Sequence, residues 1–401
     1  MIFFLGLSKK TMRIASLLLI LFSGHSMAVS NEHAKAESLL HLTDAAEVSL
    51  QRQATQAPAP WISSWLADAP TLSAALLQSQ TGGGSNEVEL ALILPLKGFR
   101  RAQLDNDLVD NEQQLTASLL SYRRWFASGM IRDLVWTIQL EQTRQQVLTE
   151  QLTLYQRFLA MLQTTDSSRE VNSYHQYVYQ QGGTELQLEL MQSNKRLLNA
   201  QQQLQQLTGQ NTIPKQVSEI ELQHPEWQQH PRLHLLLLQE QQLKLQLQAN
   251  TFANSAWQLT TRVKQVRTPG FDDNQIGVQL DVPLSFGQQT TQLDNSNFQL
   301  EYQQWLSSYS DAQREIQQQY QTATLELNTL KDQLLLLSDN DTLRQKAKSS
   351  LLMLLKHQEI SPDVAQQRLQ QLLQAELQLA LLKVQVQHAI ATLNQSAGVI
   401  L

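Results

Sequence analysis

The sequence repeats itself at long range. Gln103, Leu104, Asp105 and Asn106 return as Gln292, Leu293, Asp294 and Asn295, a separation of 292 minus 103, or 189 residues. At the same separation Glu170, Val171, Asn172 and Ser173 match Glu359, Ile360, Ser361 and Pro362, and Leu204 with Gly209 matches Leu393 with Gly398. One compensated slip occurs nearby, where Pro95 pairs with Pro283 at 188. Three landmarks at one offset mark a duplication, so whatever one half folds into, the other folds into as well. The copies are residues 29–209 and 231–401, with 210–230 as a linker.

Each copy reads as a helix, two strands, a very long helix, a turn and a medium helix. The strands are the clearest part. In 86–96, Val88, Leu90, Leu92 and Leu94 fall on one face while Glu87 and Glu89 fall on the other. In 275–284, Ile276, Val278, Leu280 and Val282 alternate with Gln275, Gly277, Gln279 and Asp281. Upstream partners are 71–80, with Leu72, Ala74 and Leu76, and 255–267, with Trp257, Leu259 and Val263 set against Gln258, Arg262 and Lys264. Each pair is a hairpin, closed by Thr81 to Ser85 with its three glycines and by Thr268 to Asn274 with Pro269 and Gly270.

After each hairpin a helical pattern runs without proline, over 99–163 and 288–356. At 1.5 Å per residue each reaches about 100 Å, longer than a globular core needs. The returning helices, 172–208 and 361–396, cover little more than half of that length, and the helices ahead of the hairpins, 31–56 and 231–252, supply the rest if stacked end to end with them. Leu372, Leu379, Val386 and Leu393, mirrored by Leu190, Leu197 and Leu204, form a seven-residue seam of the coiled-coil kind. Abundant glutamine keeps the remaining faces helical and nearly neutral.

Charge and processing signals narrow the setting. A formal net charge of −6 and no cluster of Lys and Arg among aromatics leave no footprint for nucleic acid. Lys9, Lys10 and Arg13, an apolar run from Ile14 to Phe22, and Ser26-Met27-Ala28 make residues 1–28 a secretory signal peptide. The absence of cysteine removes disulfides, thiolate chemistry and acylation at Cys. No later apolar run is long enough for a transmembrane helix, so membrane insertion would have to be by strands.

Strands of about ten residues, apolar on one face and polar on the other, suit a tilted transmembrane barrel with a wet interior, although a half-buried soluble sheet gives the same alternation. Four strands leave two open edges, and single-chain barrels start at about eight, so several chains would have to contribute. A soluble rod fits the helical seam equally well but has no need of amphipathic strands inserted twice.

At this point the chain resembles the TolC-like outer-membrane efflux protein family over nearly all of its mature length. Val88 to Arg101, VELALILPLKGFRR, is similar to the family's strand, proline and basic helix start, especially in the heavy-metal CzcC-like branch. Ile276 to Phe286, IGVQLDVPLSF, resembles the second-copy equivalent, and the copies close on LQQLTG and LNQSAG. The resemblance implies a mainly α fold with a small β part. Duplicated β-hairpins and long antiparallel helices would build a homotrimer with a 12-stranded outer-membrane β-barrel on a periplasmic α-barrel. It also implies a periplasmic adaptor, an inner-membrane transporter of the resistance-nodulation-division type, outer-membrane lipid around the strands, and passive conduction of metal cations or drugs without a cofactor. The tips depart from the family pattern, since Asp166 to Asn172 and His357 to Asp363 lack the glycine usually placed there.

The resemblance places adaptor docking at the tips, on Asp166, Arg169, Glu170, Gln358 and Ser361, and pore closure near Glu359 and Asp363, whose symmetry copies would form an acidic ring. Asp363 equally suits the first turn of a helix, where the dipole favours an acid. Trp65 and Trp257 are candidates for an aromatic belt at a membrane interface. His230 and His234 lie four apart, with His224 nearby, but no clear third ligand accompanies them and no metal site is assigned. No motif for catalysis is present, and the chain reads as a non-enzyme. The competing reading is a periplasmic coiled-coil adaptor or scaffold without a pore.

Overall fold

The computed structural model describes residues 39–50, 63–80, 82–163, 169–214, 217–251, 256–283, 292–357 and 359–401. The signal segment 1–28, Asp166 and Gln358 lie outside them. In chain order the elements are α1 (39–50), β1 (Thr71–Leu77), β2 (Asn86–Leu96), α2 (Phe99–Gln163), α3 (Arg169–Thr208), α4 (Pro231–Thr251), β3 (Trp257–Thr268), β4 (Phe271–Asp281), α5 (Gln292–Asp339), α6 (Asp341–Lys356) and α7 (Pro362–Ser396).

The strands form one antiparallel sheet in the order β1-β2-β3-β4, so both hairpins join along β2 and β3. β1 stops at Leu77, short of the expected Gln80, because the Asn86 side chain accepts the Ser79 amide at 2.9 Å and ends the ladder. The second hairpin is tighter than expected. Thr268 pairs directly with Phe271 across Pro269 and Gly270, so β4 begins four residues before Gln275. Proline followed by a glycine at φ +91° is the type II turn combination, which closes the hairpin in two residues. β4 ends at Asp281, two residues before Pro283, which has no amide to donate.

The 65-residue α2 is the spine. Leu39, Leu42 and Ala46 of α1 bury against Ala127, Ile131, Val135 and Ile138 of α2 and Leu197, Ala200 and Leu204 of α3. Farther along, α7 lies on α2 through Leu377 and Leu381 against Leu148, and on α5 through Val386, Ile390 and Leu393 against Ala323 and Leu327. α4 meets α5 where Leu233 buries with Ala312 and Ile316, and meets α2 where Arg101 Nη1 donates to the Ala249 carbonyl at 2.9 Å. Each fully buried Leu or Ile contributes about 1.5–3 kcal/mol through apolar burial.

α7 runs end to end into α4. A Cβ on Gly398, just past α7, would lie 2.8 Å from His230 Cδ2 and 3.0 Å from Pro231 Cδ at the start of α4. Gly398 sits at φ +87° and its repeat mate Gly209 at φ +77°, the left-handed conformation that ends a helix with a reversed last turn. The helix expected over 288–356 is broken. Asn340 leaves the helix at φ −94°, ψ 1°, separating α5 from α6. Ser338, Asp339, Asn340 and Asp341 are all short polar residues, and Ser338 Oγ and Asn340 Nδ2 bond back to the carbonyls of Leu335 and Leu336 at 2.9 and 3.1 Å. Such side chains compete with the helical ladder and favour a break.

Candidate functional site

The register decides what each face of the sheet presents. Leu76, Ala74 and Leu72 lie opposite Val88, Leu90 and Leu92, and Leu90 and Leu94 lie opposite Val263 and Leu259, which in turn pair with Ile276 and Leu280. All four stripes therefore share one side. That side is uncovered: Leu76 is 74% exposed, Ile276 84% and Val278 72%. A contiguous apolar face of this kind marks an interaction surface rather than a soluble exterior. Polar groups bound it at the hairpin end, where Arg267 Nε lies 3.8 Å from Asp272.

The opposite face is charged. Lys264 Nζ meets Glu87 at 2.6 Å and Arg262 Nη1 meets Glu89 at 3.8 Å, both across β2 and β3. Arg262 also donates to Gln279 on β4, and its side chain lies over Gly277, where a Cβ would come within 3.0 Å. The 11 residues of β2 extend about 37 Å, so a tilt of about 40° gives a height near 28 Å, close to the hydrocarbon thickness of a bilayer. Among the described residues neither β1 nor β4 has a second strand partner.

Trp65 and Trp257 stand at the helix-proximal end of this sheet. Trp257 pairs with Leu96, which Leu66 also bridges, and the Lys97 amide donates to the Trp65 carbonyl at 2.9 Å. Trp65 is 54% exposed and Trp257 40%, and Trp257 shares the strand face of Leu259 and Val263.

At the far end of the helices Tyr155 and Phe158 of α2 and Tyr179 of α3 bury against Leu351 and Leu355 of α6 and Ala365, Leu369 and Leu373 of α7. Burial pushes the Tyr179 hydroxyl well above its ordinary range, with Tyr155 and the carboxylate of Asp363 adding to the effect. Glu359 and Asp363 are both exposed, on either side of the extended Ser361 that precedes Pro362. The Glu359 amide donates to the Leu354 carbonyl at 2.9 Å, and Ser361 makes no side-chain cap. Arg169 and Glu170 open α3. Gln151 Nε2 donates to the Leu373 carbonyl at 2.8 Å, tying α2 to α7 just above the tip.

The histidines do not converge. His230 is buried at the start of α4, where Nδ1 accepts the Arg232 amide at 3.2 Å and the ring meets Trp125 edge-on. Burial lowers its pKa to about 4, helped by the Arg232 charge, so it is neutral at ordinary pH. His234 and His224 are exposed. No group of three metal-ligating side chains gathers among the described residues.

Sequence reasoning missed the junction of the two copies. Arg132, buried in α2, donates to Glu219 of the linker at 2.9–3.1 Å and to Gln395 Oε1 and the Val399 carbonyl at 2.6 and 2.8 Å. Asn394 Nδ2 donates to Glu219 and to the Ile220 carbonyl, and its Oδ1 accepts the Leu222 amide. An arginine on the apolar stripe of Ile131, Leu134 and Val135 was the available signal.

The architecture has solved counterparts. A structure of CusC aligns with a TM-score of 0.60 at 14% identity, covering 91% of this chain and 89% of that one. The Vibrio cholerae outer membrane protein VceC aligns at 0.60 and 11% identity over 90% and 92%. The Campylobacter jejuni CmeC outer membrane channel aligns at 0.59 and 11% over 92% and 83%. The chain has an outer-membrane channel fold. No protein-family model matches the sequence, and no curated protein sequence matches it. The channel fold accounts for the mainly helical chain with its small antiparallel sheet, and these counterparts do not single out the CzcC-like branch.

Proposed function

We propose that the chain is one subunit of an outer-membrane exit duct in a tripartite efflux system. It would be exported by residues 1–28 and would conduct metal cations or drugs passively, without chemistry of its own. Three copies, each giving four strands, would close a 12-stranded barrel with the apolar stripes toward lipid and the charged ladder toward the lumen, while the helices form a periplasmic tunnel. A periplasmic adaptor would dock at the tips, near Arg169, Glu170 and Ser361, and a transporter of the resistance-nodulation-division type would supply the energy. Glu359 and Asp363 are the proposed gate carboxylates.

One observation carries this reading: an uncovered apolar sheet face and a charged opposite face on a sheet whose two edges are unpaired among the described residues, rooted in long helices of which α2 alone reaches about 100 Å. Pairing β4 of one copy with β1 of the next removes every edge and buries the stripes in lipid at once. Envelope fractionation with size analysis in mild detergent tests it. A trimer in the outer membrane that opens conductance in a planar bilayer supports the duct. A soluble periplasmic monomer supports the competing scaffold reading and would sink this one.

A further inference from the structure

The turn from β2 into α2 sets two cations on one carboxylate. Lys97, one residue past β2, has a side chain only 7% exposed, and its Nζ lies 2.6 Å from Asp105 and donates to the Ser63 carbonyl at 2.6 Å. Arg101 Nε donates to the same Asp105 at 3.0 Å, and its Nη1 donates to the Ala249 carbonyl at 2.9 Å. One Nζ hydrogen and the Nη2 group of Arg101 have no partner among the described residues, so the cluster keeps one surplus positive charge and spare donors. An uncompensated buried cation is costly until an anion joins it.

Both side chains line a cleft of about 700 Å³ between the segment 63–70 and helices α2 and α4, within the size range of ligand sites. Leu66, Pro70, Leu108 and Val109 give it apolar walls. The cleft lies level with Trp65 and Trp257: Leu66 bridges Leu96, which pairs with Trp257, and the Lys97 amide bonds the Trp65 carbonyl. Phe99, the first residue of α2, is 91% exposed beside it in the chain, as suits an aromatic at a membrane interface. The apolar stripe of β1 starts at Leu72, two residues past Pro70.

We infer that this cleft seats the headgroup of a zwitterionic phospholipid, with its phosphate on Lys97 and Arg101 and its acyl chains along the apolar sheet face. The inference rests on the proposed duct, since only insertion brings the cleft to headgroup depth. A phosphate oxygen takes short, charge-assisted bonds from both cations and matches their surplus charge. Asp68 and Glu112 also line the cleft, and with Asp105 they outnumber its two cations. A lipid of net negative charge is therefore repelled there, while a headgroup ammonium finds carboxylates. The site selects phosphatidylethanolamine over phosphatidylglycerol.

The test is native mass spectrometry of the full-length protein in detergent, titrated with either lipid or with free phosphorylethanolamine. Wild type should retain phosphatidylethanolamine about five-fold more tightly than phosphatidylglycerol. Lys97→Gln with Arg101→Gln should weaken both lipids about ten-fold or more. Asp68→Asn with Glu112→Gln should abolish the preference, and because both carboxylates are exposed this pair carries the test if the first fails to fold. Free phosphorylethanolamine should bind far more weakly than the lipid, and equal binding would overturn the lipid assignment. An assembled wild-type protein with no preference, the result expected if a neighbouring copy fills the cleft, overturns the site and leaves the duct standing. So does a folded cation variant that binds as wild type. A soluble monomer that takes up no lipid overturns the duct and the site together.

Discussion

Arg132 and Glu219 form a nearly dry ion pair, 4% and 9% exposed, in which one guanidinium holds the inter-repeat linker against α2 and the end of α7. A pair at the surface would contribute little, but a buried one strands a charge when a partner is lost. Arg132→Ala should therefore lower stability by about 3 kcal/mol or more, read as a lower thermal midpoint of the detergent-solubilised protein. Replacing both partners together with apolar residues should cost less than the single change.

His230 gives stability a pH dependence of known sign. Its folded pKa, about 4, lies below the ordinary 6.5, so the folded state favours the neutral ring. The stabilisation is full above pH 6.5 and falls as acidification takes the unfolded chain through 6.5 while the folded chain resists protonation down to about 4. His230→Asn keeps an acceptor for the Arg232 amide and should flatten that part of the denaturation profile between pH 7 and 4.

The two glycines that close the repeats should not be equivalent. Gly209→Ala meets no atom within 4 Å and should cost only the left-handed strain, about 1 kcal/mol. Gly398→Ala carries the same strain and also drives a methyl group into His230 and Pro231, so its loss should be clearly larger. Thermal midpoints of the two variants check the order.

Much of the fold was legible because its periods are unusually clean. A period of two in Val88 to Leu94 and in Ile276 to Leu280 assigns faces without ambiguity, and a long run free of proline bounds α2. What escaped was decided by single side chains. Asn86 ends β1 by capturing one amide, Pro269 and Gly270 shorten a hairpin, and a polar run at Asn340 splits a helix. His230 and His234 lie four apart, yet the first serves as a buried cap and the second faces solvent. The Arg132 network joins residues up to 267 positions apart, a distance over which periodicity carries no information.

Charge placed on the two sheet faces should have opposite consequences for insertion. Leu90→Arg, on the apolar face, should cost about 2–4 kcal/mol in lipid and abolish the outer-membrane oligomer. Glu89→Gln, one residue away on the charged face, should leave assembly intact, as judged by the detergent-resistant species after fractionation.

The absence of native cysteine makes the two faces of the sheet directly readable. Leu90→Cys, Val278→Cys, Glu89→Cys and Gln279→Cys can each be labelled in intact outer membranes with a lipid-soluble and a charged water-soluble maleimide. Cysteines at 90 and 278 should react only with the lipid-soluble reagent, and those at 89 and 279 readily with the charged one. Equal labelling of all four positions by the charged reagent would show a sheet bathed in water on both sides and contradict the channel.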